Sequence, residues 1–238
     1  LVDDVLYTGR TSRAALDAVR WGDPHHSQPA ALSLTQPTDM GTVYTVAEIA
    51  ALADIAHDRG LRVHIDGARI ANATARLGCS AAEITWQAGV DLLSLGATKN
   101  GALSAEAIVV FDNDAANELV YRTKRSGHVT SKMRFQSAQL IAYLTDDLWL
   151  RLAGRSNRQM ERLAAGLLDV GVEFVDPPDV NMVFAHVSDD AATQLEHAGL
   201  LFYRIAPGLI RLVTSWQTSD ADIDQTVEHF ASVLDRSA

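Results

Sequence analysis

A single cysteine, Cys79, stands among 238 residues, which excludes an intrachain disulfide framework and fits a reducing compartment. No run approaches the roughly 18 apolar residues of a membrane span, and no signal peptide is visible. Neither CxxC nor HExxH occurs, so His25, His26 and His64 would have to converge in space to hold a metal. GxGxxG is missing, GATKNG lacks the spacing and the GK[ST] of a P-loop, and no GxSxG elbow marks a serine nucleophile. Positive charge is scarce: 20 Lys and Arg stand against 30 Asp and Glu, a net charge of −10. That balance argues against a general nucleic-acid or anionic-membrane partner. Internal repeats and low-complexity segments are absent too. These absences leave the expectation of a soluble, cytoplasmic protein with no metal.

What is present is a globular composition, 47% apolar and 21% charged, enough to bury a real core. The length suits one large domain, or one domain with a smaller lobe. Residues 11–20 read as a short helix, and AALSLTQ as a buried strand followed by a turn-rich loop. Thr45 and Glu48 form a capping box for a helix from Val46 to about Arg59. LRVHI is the next strand, Ala68–Leu77 a helix or loop, and Ser80 with Glu83 a second capping box. VDLLSLGA and AEAIVVF are further strands, giving the beat of an α/β layered domain. A basic run follows, with Arg122, Lys124, Arg125, Lys132 and Arg134 within 13 positions. It suits a solvated helix face, an anionic ligand or a neighbouring subunit. Residues 137–171 read as one long helix bridging to a second lobe, apolar at intervals of three and four. The last third reads as a small α+β lobe ending in an amphipathic helix capped by Ser219. The expected division is 1–140 for the large domain and 141–238 for the connecting helix and small domain.

Two strand ends carry charge. VHIDGAR places Asp66, and GATKNG places Lys99, 33 positions later, about one strand–helix–strand crossover. Such crossovers make strands parallel, and ligands of open parallel sheets sit beyond the strands' carboxyl ends. A carboxylate and an amine are therefore expected in one crevice. The small residues around Lys99 leave its backbone approachable, and its amine is expected to be partly desolvated, which favours the free amine of Schiff-base chemistry. Lysine and aspartate together are what pyridoxal phosphate asks of a protein: an amine at its aldehyde and a carboxylate at its ring nitrogen. On spacing alone an ordinary buried Asp–Lys ion pair is the commoner explanation.

HIDGARIANA, VDLLSLGATKNGALSAEAIVVF, GHVTSKMRFQSAQLIAYL and LIRLVTSW, with SLTQPTDMGTVYT before them, resemble the bacterial L-threonine aldolase family, its low-specificity and phenylserine aldolase branch. The resemblance runs from about His26 to the end. It implies an α/β protein of pyridoxal-phosphate fold type I: a large domain with a mostly parallel sheet and a small α+β carboxyl-terminal domain. It implies retro-aldol cleavage of L-threonine, L-allo-threonine or a related β-hydroxy-α-amino acid to glycine and an aldehyde. By resemblance Lys99 holds the cofactor, Asp66 faces its ring nitrogen, and Thr98 touches its phosphate. Arg69 lies near cofactor and substrate, and Arg211 clamps the substrate carboxylate. Lys132 or Arg134 reaches a neighbour's cofactor phosphate, which implies a homo-oligomer, a dimer or a homotetramer with shared sites. The family also carries an amino-terminal segment with a glycine- and serine/threonine-rich phosphate cup. No match to it precedes SLTQ, so the large domain is expected to be incomplete. Another pyridoxal-phosphate lyase, eliminating at Cβ, and an inactive oligomerisation or binding module are the alternatives.

Overall fold

The computed structural model describes Val2–Asp3, Ala14 and residues 17–235. Half of the helix expected over residues 11–20, residues 11–13, 15 and 16, falls outside them. Contacts divide the chain into two compact units, Leu1–Asp39 with Val43–Leu150, and Met40–Thr42 with Arg151–Ala238.

The first unit is built on apolar runs that alternate in burial. In β2 (Ala31–Thr35) Leu32 and Leu34 are fully buried, and in β3 (Arg62–Gly67) so are Val63 and Ile65. Each such side chain is worth about 1.5–3 kcal/mol when fully buried. A one-residue slip would turn all four outward, so the register is firmly set. With β1 (Val2–Asp3), β4 (Leu92–Gly96) and β5 (Glu106–Val110) these strands form one sheet in the order β1-β2-β3-β4-β5. The first three pairings are parallel and the last is antiparallel. The sheet is thus mostly parallel, in agreement with the sequence.

Helix α1 (Val46–His57) starts at the Thr45–Glu48 capping box and buries Ile49, Leu52, Ala53 and Ala56. Helix α2 (Ile70–Leu77) follows β3 directly and ends at Gly78, in the left-handed conformation. The second capping box forms as well: Ser80 N–H donates to Glu83, and Glu83 N–H to the Ser80 hydroxyl. It opens only a turn and a short 3-10 helix, Trp86–Ala88. Ile84, Thr85 and Trp86 are indifferent helix formers, and Gly89 ends the segment at φ +84°. Helices α3 (Asn113–Arg125) and α4 (Arg134–Leu144) complete this unit.

The long helix expected over 137–171 is broken. Between α4 and α5 (Leu148–Asp169) lies a 3-10 turn, Thr145–Asp147, with Asp146 at φ 52° and Asp147 at φ 54°. Short polar side chains compete for backbone hydrogen bonds and tolerate the left-handed region. Here the Thr145 hydroxyl donates to the Ile141 carbonyl, and two aspartates follow it. Apolar periodicity on either side hides the break.

The second unit is a four-stranded antiparallel sheet, β6 (Glu173–Phe174), β7 (Met182–His186), β8 (Tyr203–Ala206) and β9 (Leu209–Val213), in the order β6-β7-β9-β8. Helices α6 (Asp189–His197) and α7 (Asp220–Leu234) join the greater part of α5 beside it. Met160, Leu167, Val183, Ala185, Leu195, Ile210 and Phe230 lie at the heart of its core. No helix among the described residues is long and apolar enough to cross a membrane.

Candidate active site

Strand period places Arg62, His64 and Asp66 on the less buried face of β3. Asp66 is the last side chain of that row before the chain turns. Its Oδ1 accepts the Ala68 N–H at 2.9 Å, and Arg69 then stands as the N-cap of α2, half-buried. Its other oxygen, Oδ2, takes no hydrogen bond among the described residues. In the adjacent parallel strand Asp66 pairs with Ser94, and Lys99 follows five positions later. Both residues therefore sit at the carboxyl ends of neighbouring parallel strands, as the crossover spacing predicts.

Two glycines let these ends close on each other. A Cβ at Gly67 would lie 2.7 Å from the Ser94 carbonyl oxygen, and one at Gly96 would lie 2.7 Å from Ala68 Cα and 2.8 Å from its oxygen. The obstacles at Gly96 are backbone, which cannot swing aside. Gly96→Ala is expected to lower stability by about 1–3 kcal/mol. An unchanged denaturant midpoint would show that the strand ends have slack.

After Gly96 the chain makes a single 3-10 turn, Thr98–Asn100, which Gly101 ends at φ 119°. Lys99 is one of three lysines in the sequence, with Lys124 and Lys132. It is exposed, and this corrects the expected desolvation: the turn carries it past the sheet edge, and the buried member of the turn is Asn100. The Asn100 Nδ2 donates to the Tyr143 hydroxyl at 2.8 Å and to the Trp149 carbonyl at 2.9 Å. Thr98 uses its own polar groups locally. Its hydroxyl accepts the Ala105 N–H at 3.2 Å, and its N–H donates to Glu106 at 3.3 Å.

One step deeper than Asp66, His64 bridges three strands, with Nδ1 2.8 Å from Ser33 Oγ and Nε2 2.9 Å from Ser94 Oγ. Desolvation holds its pKa below the ordinary histidine value, against the opposing charge of Asp66. The imidazole is therefore a neutral donor–acceptor link under the carboxylate. The pattern Ser33, His64, Ser94 on adjacent strands is visible in the sequence only once the register is known.

In the second unit Arg211 stands on β9 opposite Phe184 of β7 and Tyr203 of β8. Its guanidinium carbon lies 4.5 Å from the Tyr203 ring centroid, and its Nε is buried without a hydrogen-bond partner. A guanidinium held over a ring, with a donor unspent, suits a carboxylate. Lys132 and Arg134 are exposed, and Arg134 lies 5.4 Å over the Phe135 ring. Arg122, Lys124 and Arg125 occupy the last turn of α3, where cations meet the carbonyl end of the helix. His25 and His26 are exposed in the loop before β2, His26 against Asp23 at 3.0 Å, and His128 is exposed after α3.

A cavity of about 920 Å3 opens along β5, between Ile108 and Val110 of the sheet and Leu119, Val120 and Leu140 of the helices. Neither Asp66 nor Lys99 lines it. The candidate pair thus stands at the strand ends, apart from this largely apolar cavity. No group of three side chains suited to a metal ion occurs among the described residues.

Known proteins are similar to this chain in sequence and in fold. The family model described as Beta-eliminating lyase matches residues 10–190. A low-specificity L-threonine aldolase of Pseudomonas aeruginosa is 43% identical over 89% of this chain and 61% of its own length. A second, from a Pseudomonas species, is 38% identical over 91% of the chain and 63% of its own. The chain thus spans about three-fifths of the length of these relatives. The solved structure of a Leishmania major threonine aldolase superposes with a TM-score of 0.88 at 24% identity, over 97% of this chain and 68% of that one.

Proposed function

The chain belongs to the beta-eliminating lyase family, and from that membership we propose that it serves retro-aldol cleavage of L-threonine, L-allo-threonine or a related β-hydroxy-α-amino acid to glycine and an aldehyde. The cofactor in this reading is pyridoxal 5′-phosphate. The observation that carries it is the pair Asp66 and Lys99 at the ends of neighbouring parallel strands, closed together by Gly67 and Gly96.

The residues fit the group. Lys99 offers an accessible amine for the cofactor's aldehyde carbon, and Asp66 keeps one oxygen unspent for the ring nitrogen. Pyridoxal phosphate, when bound, supplies an electron sink for the pair left by the breaking Cα–Cβ bond. Asp66 holds the proton on the ring nitrogen that makes the sink effective, and its Ala68 hydrogen bond fixes the direction of that carboxylate. Arg211 pins the substrate carboxylate as a fork, aided by Arg69, so that the bond to be broken is held in one orientation. Thr98 contributes to the phosphate, and Lys132 or Arg134 reaches the phosphate of a neighbouring subunit. The protein works in the cytoplasm as a homo-oligomer, a dimer or tetramer.

The family's description favours one competing reading, β-elimination, and the products separate the two. Given pyridoxal 5′-phosphate and L-threonine, the protein is expected to release glycine and acetaldehyde in equal amounts. Ammonia with a keto acid would assign elimination instead. Failure of added cofactor to produce visible absorption would leave a binding module.

A further inference from the structure

We propose that one face of α4, through Tyr143 and Gln139, positions Lys99 by gripping the loop on which it stands. The proposal rests on the assignment of Lys99 as the cofactor's lysine. The loop has few backbone hydrogen bonds of its own. The Asn100 and Ala102 N–H groups both donate to the Ala97 carbonyl at 3.1 Å, and a lone 3-10 turn has no further rungs.

Side chains of α4 supply what the backbone lacks. Gln139 and Tyr143 are four residues apart and share a helix face. The Tyr143 hydroxyl accepts one Asn100 amide proton, while the Trp149 carbonyl accepts the other. Gln139 Oε1 accepts the N–H groups of both Leu103 and Ser104, at 2.9 and 3.0 Å. Asn100 thus spends both of its donors, and the loop is held on either side of Gly101. Tyr143 is itself firmly seated. It is 3% exposed, with its ring 6.5 Å from that of Trp149, and burial pushes its hydroxyl up to about 12, so it stays protonated.

The consequence for Lys99 is directional. With three residues per turn, neighbours in a 3-10 helix point roughly 120° apart. Asn100 pinned inward therefore sets the outward bearing of Lys99. The break at Thr145–Asp147 matters here too, because it brings a carbonyl of α5 to the same amide that the end of α4 already holds. An alternative is that Asn100 merely satisfies its own buried polarity, with no bearing on the lysine.

The three lysines give a test with an internal reference. Pyridoxal 5′-phosphate followed by borohydride fixes the reagent on accessible amines as a stable secondary amine, and peptide mapping reports each site. In the wild-type protein Lys99 is expected to take the label well ahead of Lys124 and Lys132. In Tyr143→Phe, which keeps the ring, and in Gln139→Ala, which lies at a partly exposed position, the Lys99 rate relative to the two references should fall roughly tenfold, from misplacement of the amine. Labelling is done well below each variant's melting temperature, so a purely structural role would leave that ratio unchanged. An unchanged ratio in both variants, with Lys99 still preferred, would overturn the positioning role alone. Equal labelling of all three lysines in the wild-type protein would overturn the assignment of Lys99, and the positioning role with it.

Discussion

Lys99→Ala is expected to abolish the visible absorption that pyridoxal 5′-phosphate gives with the wild-type protein and to lower glycine formation by at least about 10⁴-fold, the scale seen when a covalent group is removed from a catalytic unit. Neither remaining lysine offers a substitute. Lys124 lies in the last turn of α3 and Lys132 in the segment before α4, neither of them at a strand end. Lys99→Arg should fail as well, because a guanidinium stays charged and cannot act as the free amine. Stability is the control. Lys99 is exposed and takes part in no ion pair among those described, so its loss should shift unfolding by no more than about 0.5 kcal/mol. Retained absorption in the alanine variant would remove this lysine from the chemistry.

Asp66→Asn is the second large effect, and it acts on a different quantity. The amide oxygen can still accept the Ala68 N–H, so the turn into α2 should survive. What disappears is the negative charge that favours a proton on the cofactor's ring nitrogen. Losing one such electrostatic partner costs about 10²–10³ in kcat. KM for the amino acid should change little, because the proposed function gives the substrate carboxylate to Arg211. A rise in KM with kcat unchanged would make Asp66 a binding group instead. An inactive but unfolded protein is distinguished by its denaturation curve.

The strand ends were legible in the sequence because their signals are local. Apolar runs of five or six residues stop at DG and at GA, and a crossover of ordinary length separates them. The capping boxes at Thr45–Glu48 and Ser80–Glu83 form as read, since the sequence marks both partners three residues apart, and Ser219 caps α7. The reversal of β5 was less accessible. The segment between Gly96 and Glu106 is punctuated by small residues and fixes no direction by itself. The break at Asp146–Asp147 hides inside an apolar periodicity that runs on through both helices. Long-range polar contacts were beyond reach. Asn100 and Tyr143 are 43 positions apart, and only folded geometry brings the amide to the hydroxyl. The stacking of Arg211 on Tyr203 likewise depends on which residues β8 and β9 set opposite each other.

The order β1-β2-β3-β4-β5 has a consequence for how the first unit is assembled. Every hydrogen-bonded neighbour in that sheet is also a neighbour in the chain. Ala31 meets Arg62, His64 meets Leu92, and Gly96 meets Glu106, so among the described residues each strand of that sheet pairs with the one next to it in the chain. Loop-closure entropy grows only as the logarithm of length, so the connections of 26 residues from β2 to β3 and 24 from β3 to β4 cost little more than the nine from β4 to β5. A growing chain can therefore lay down its strands one at a time in the order of synthesis. The ten-residue closure of β4 on β5 is the quickest of these steps, so the loop bearing Lys99 is framed on both sides by an early, local event.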